Sequence, residues 1–207
     1  MSARVSATPD RNVIARSLST QLLHLAVAVS VVHQLLISQI MQPPTATAAG
    51  DLAWQLHRAM GLASFGFLLA FWIWVLVRRG EASAGRLWPW FSATDRGDLL
   101  RDIADQLQAL RSRRLPPPDD RPLAAATHGI GLLTASTMAI TGAAALLPGL
   151  PPNLLDADLS VHSAIANLMW AYLAAHAALA LLHEAAGHRV LRGMLFPAGR
   201  VGSGEDA

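Results

Sequence analysis

The sequence predicts an all-α fold: a four-helix transmembrane antiparallel bundle with an amphipathic cytoplasmic loop helix. Three observations carry that prediction. Four apolar runs take up most of the 207 residues, and each exceeds the roughly 20 apolar residues that a helix rising about 1.5 Å per residue needs to cross about 30 Å of hydrocarbon. The composition is 53% hydrophobic and only 14% charged, which belongs to a polytopic membrane protein rather than a soluble domain. The N-terminus, one long loop and the C-terminus are basic, while the two short loops carry no arginine at all. By the positive-inside rule both termini and the long loop are cytoplasmic.

Composition also excludes chemistry. Cysteine is absent, so the chain builds no disulfide, thiolate metal site or iron–sulfur cluster, and histidine is its only soft-metal ligand. All sixteen cationic residues are arginine, which reads as genomic bias rather than function. A nucleic-acid partner is not expected, because there is no basic face interleaved with aromatics and no recognisable binding module.

Residues 1–15 are a polar cytoplasmic tail, and residues 16–196 form the four-span domain. The first span, 16–41, carries His24 and His33. Ala46-Thr47-Ala48 resembles a signal-peptide cleavage site, but the apolar run is longer than the 7–15 residues of a signal core, so a membrane helix is the better reading. A short connection with Pro43 and Pro44 leads to the second span, 52–77, which opens with WQLHRAMG and is closed by Arg78 and Arg79. Arg58, beside His57, either snorkels to the interface or meets a carboxylate such as a cofactor propionate.

The loop 78–122 holds Trp88, Trp90 and Phe91, which suit an interfacial aromatic belt. Residues 98–113 then place Leu99, Leu100, Ile103, Leu107 and Leu110 at helical spacing, as in an amphipathic helix lying on the membrane surface, or one that docks a partner. Pro116 to Pro118 break the chain. The third span, 123–147, contains His128 and the small residues Gly129, Gly131 and Gly142, which permit close approach of a helix or of a flat ring. A proline-rich loop, 149–158, precedes the fourth span, 159–186, and residues 197–207 are a cytoplasmic tail. No internal repeat is evident.

The fourth span organises the rest. His162 and His176 lie 14 residues apart, about 21 Å along the axis and within roughly 40° of one face. Ionisable groups inside a span are costly and mark functional sites. In the antiparallel arrangement His57 falls at the depth of His162, near the outer ends of their spans, and His24 at the depth of His176. Two imidazole pairs at two depths are what axial ligation of two haems requires, whereas a copper or zinc site in a haem-free transporter would gather its ligands at one level. His33 is a second candidate on the first span, roughly 180° around from His24. His128 and His183 read either as interfacial histidines or as groups near a propionate or quinone, and His188, beside Arg189, as a membrane-surface cation.

The ordered set LLH, HRAMG, HGIGLL and HSAIANLMWAYLAAHAALALLH followed by VLRGML resembles the prokaryotic cytochrome b561 family, related to the cytochrome b subunits of hydrogenases and formate dehydrogenases. The resemblance covers about residues 16 to 196. It implies two haem b groups, the outer held by His57 and His162 and the inner by His24 and His176. The implied setting is a bacterial inner (plasma) membrane, with ubiquinone or another quinone/quinol as the membrane partner and a c-type cytochrome or a dehydrogenase subunit as the aqueous one. Some relatives oxidise superoxide while reducing quinone, and Arg58 is then the cation placed to steer the anion. An anchor whose loop helix recruits a soluble enzyme is the remaining class.

Overall fold

The computed structural model describes residues 16–78, 87–116 and 121–195. Its helices are α1 (Leu18–Ile37), α2 (Leu52–Val77), α3 (Ala93–Arg111), α4 (Pro122–Ala144), α5 (Pro152–Ala185) and the short α6 (Val190–Leu195), with a 3-10 turn at Pro89–Phe91. No strand occurs among the described residues. The two tails, Arg79 and the Pro117–Pro118 break lie outside the described residues.

Helices α1, α2, α4 and α5 are long and apolar enough to cross a membrane, and their surface is that of a lipid-solvated protein. Thr20, Gln21, Ser30, Gln34, Ser64 and Thr134 are buried, while Ile73 and Leu181 are 62% and 60% exposed. Water would favour the reverse distribution; hydrocarbon makes polar groups seek partners inside the bundle. They find them helix by helix. Trp74 Nε1 donates to Thr20 Oγ1 at 2.8 Å and Gln34 Nε2 to the His57 carbonyl at 2.8 Å, joining α1 to α2. Trp72 Nε1 donates to Ser136 Oγ at 2.9 Å, joining α2 to α4. Gln21 Nε2 donates to the Gly193 carbonyl at 2.9 Å, joining α1 to α6.

The helix starts follow from local chemistry. The Ser17 and Asp51 side chains cap α1 and α2 by accepting from Thr20 N and Trp54 N, each satisfying an amide that the first turn leaves unpaired. Helix α3 begins at Ala93, earlier than its apolar spacing suggests, because Ser92 caps it. The largest difference from the sequence reading is at α5, which starts at Pro152 and absorbs most of the expected loop. Proline at the first helical position has its φ preset and lacks only an N–H that would be unpaired there anyway, so the Pro151-Pro152 pair starts a helix instead of holding a loop open.

The loop after α2 is wired into the bundle. Trp88 stacks on Trp72 with ring centroids 5.1 Å apart, and Pro89 is fully buried, so Trp88 faces protein, whereas the belt reading faced it to the interface; Phe91 remains 86% exposed. A Cβ on Gly129 would lie 2.0 Å from the Leu87 carbonyl oxygen, so only glycine admits this approach. Asp102, in α3, accepts from Arg121 Nη1 and from Leu123 N, both at 2.9 Å. Arg121 supplies no side-chain cap of its own to α4, so the carboxylate of another helix does the capping and its charge complements the positive end of the helix dipole. Asp102→Ala should release α3 from α4 at a cost of about 1–3 kcal/mol. Amide exchange across residues 93–111 is then expected to rise on the order of 10- to 100-fold while α1 and α2 exchange as before.

Candidate functional site

Helix α5 packs its backbone closely on α4, and α4 on α2, and α2 on α1. Towards α1 and α2, helix α5 presents histidines. His162 meets His57 of α2 with ring centroids 6.3 Å apart and planes at 88°. His176 meets His24 of α1 with centroids 6.4 Å apart and planes at 48°. The four residues singled out in the sequence are thus brought together two by two, at the two levels set by the 14-residue spacing on α5.

Those separations have a chemical meaning. An imidazole nitrogen binds a divalent metal such as zinc at about 2.0–2.1 Å, and the ring centroid lies about 1.1 Å behind it, so two imidazoles on opposite sides of one metal have centroids roughly 6.3 Å apart. Both pairs match that figure. Among the described residues no group of three or more His, Asp or Glu side chains gathers into a metal-ion cage. A pair of facing imidazoles needs four further donors to complete an octahedral metal, and the ring of a porphyrin brings them. The donor set therefore fits haem.

Each pair has its own surroundings. Around the outer one, Trp54 stacks on His57 with centroids 6.4 Å apart, and the His57 carbonyl is held by Gln34. His33 lies close enough to His57 to interact with it electrostatically, so it belongs with the outer pair and not with His24. Among the described residues His57 Nδ1 and His33 Nδ1, both buried, have no hydrogen-bond partner. Thr141 Oγ1 lies 2.9 Å from His162 Nδ1. Arg58 is exposed, one residue on from His57, and therefore about 100° around the helix from it.

At the inner pair, Tyr172 stacks on His176 with centroids 5.4 Å apart and planes at 13°, and His128 meets the same ring edge-on at 5.4 Å. His128 Nδ1 lies 2.7 Å from the Ala124 carbonyl oxygen; since a carbonyl only accepts, this nitrogen carries the proton. His183 and His188 pair with each other instead, Nδ1 to Nδ1 at 3.0 Å, at the corner between α5 and α6. Sequence reasoning missed Tyr172, although its position four residues before His176 puts the two on one face. It also missed Thr141, for which one sequence holds no signal. Antiparallel packing of α4 on α5 places Thr141 and His128 together, because the register that sets Thr141 against His162 also sets His128 against His176.

The fold and these sites define a class, a multi-pass membrane protein built around facing imidazoles. A family model described as prokaryotic cytochrome b561 matches residues 15–197, nearly the whole chain, and the chain belongs to that family. It is therefore a haem-binding membrane cytochrome of b type, engaged in electron transfer. No curated protein and no solved structure matches it.

The inner pair offers a test of packing. A Cβ on Gly131 would fall 2.2 Å from Tyr172 Cζ and Oη, so the ring that stacks on His176 would have to shift. Gly131→Ala should overpack the site by about 1–3 kcal/mol and lower bound haem per chain. Gly66→Ala, whose new Cβ meets nothing within 4 Å, should leave haem content unchanged; extraction and quantification of haem from both proteins checks this.

Proposed function

We propose that this cytochrome carries two b haems and relays electrons between a quinone or quinol in the membrane and a redox partner at its surface. The observation that supports this best is the near-equal separation of the two imidazole pairs, 6.3 and 6.4 Å, at depths about 21 Å apart. His57 and His162 hold the outer haem, and His24 and His176 the inner one. A bound haem supplies a one-electron couple. The chain's part would be to offer each haem an imidazole from each of two helices and to hold those side chains still, so that little would reorganise as charge changes.

The arginine distribution supports an orientation with both termini and the α2–α4 loop in the cytoplasm of a bacterial cell, the protein lying in its inner membrane. The aqueous partner is a c-type cytochrome or a dehydrogenase subunit. Arg58 favours a second reading within the same framework, superoxide:quinone oxidoreductase activity. It is exposed beside the outer pair, where it can attract an anion or hold a propionate.

A reduced-minus-oxidised spectrum with haem extraction tests the ligand set. The parent protein is expected to hold two b haems per chain. His57→Ala and His162→Ala should each remove one, His24→Ala and His176→Ala the other, and His33→Ala neither. A protein without haem, or one that loses haem on changing His33 and not His24, would overturn the assignment.

A further inference from the structure

We infer that Thr141 is a positioning residue for the outer haem, fixing the tautomer of His162 and raising its strength as a ligand. This rests on the reading of His162 as an axial ligand. A threonine hydroxyl has one proton to give and lone pairs to receive with. Thr141 Oγ1 lies 2.8 Å from the Thr137 carbonyl oxygen, 3.1 Å from that of Met138 and 2.9 Å from His162 Nδ1. Carbonyl oxygens only accept, so the hydroxyl proton is engaged within α4 and a lone pair is turned to the imidazole. His162 Nδ1 is then the donor, and Nε2 carries the lone pair that a metal needs.

The ring is fixed in position as well as in protonation. A Cβ on Gly142 would stand 3.1 Å from His162 Cε1, so successive residues of α4 meet the imidazole, one by a hydrogen bond and the next by close approach of backbone. Among the described residues the facing His57 Nδ1, though buried, makes no hydrogen bond of this kind. Accepting a hydrogen bond from Nδ1–H makes the opposite nitrogen more basic, and a more basic axial ligand favours the oxidised metal. Thr141 thus holds the outer haem at a lower potential than the same two histidines would give without it.

The experiment is a redox titration of the full-length, haem-loaded protein in membranes, read optically and by the low-spin ferric resonance, on the parent and on Thr141→Val, Thr141→Ser and His162→Ala. Valine keeps the shape and removes the hydroxyl; serine keeps the hydroxyl. The expected result is that Thr141→Val raises one of the two potentials and shifts one ferric signal while the other haem is unmoved, and that Thr141→Ser behaves as the parent. Loss of one haem in Thr141→Val with its retention in Thr141→Ser supports the same role. Unchanged potentials in Thr141→Val, or equal losses in the valine and serine proteins, would overturn the inference while leaving the ligand assignment standing. Retention of both haems by His162→Ala would instead overturn the assignment on which it rests.

Discussion

Two side chains on different helices can face one another only if their helices are held in register to within about one residue's rise. The bundle meets that constraint at two levels, since α5 carries both His162, opposite His57, and His176, opposite His24, and any slide of α5 along its axis would misplace both pairs together. The register is held by α4, whose backbone packs against α5 and whose Thr141 and His128 reach the two histidines in turn. Helix α4 is itself placed by Trp72 of α2 through Ser136. The result is a bundle in which one helix presents the histidines and its neighbour fixes their height.

The bilayer makes such pinning effective. Interhelical hydrogen bonds in membranes contribute only about 0.6 kcal/mol each on average, so no single clamp is decisive. Their value is in specificity. Trp74 with Thr20 and Gln34 with the His57 carbonyl sit towards opposite ends of α1 and α2, and sliding either helix by one turn would strand several polar groups in hydrocarbon at once. The outward faces carry leucine, isoleucine and valine, which are indifferent to their exact lipid neighbours and leave register to the interior.

Much of this was legible in the sequence because it depends on period and depth. Four apolar runs fix four spans, and the spacing of His162 and His176 fixes two levels; counting residues from the span ends then matches His57 and His24 to them. What could not be read depends on which faces of adjacent helices meet. His33 sits 180° from His24 on one helix, yet only the packing of α1 against α2 shows that it turns towards His57. Thr141 is an ordinary helix threonine until α5 is set beside it. Pro151 and Pro152 resembled a loop because proline is ambiguous between ending one element and starting the next, and the resolution lay in the helix that followed. Trp88 suited a belt by composition and was claimed instead by Trp72.

The carboxylate of Asp102 gives the bundle a depth gauge. It pairs with Arg121 and caps the first turn of α4, so three polar partners meet where that helix begins, and none of them can be drawn into hydrocarbon without the others. The start of α4 is thereby tied to α3. Since α4 packs on α5, the height of both histidine pairs in the bundle is linked to a helix that lies outside the four apolar ones. A partner that gripped α3 would be holding, at one remove, the ruler against which both pairs are measured.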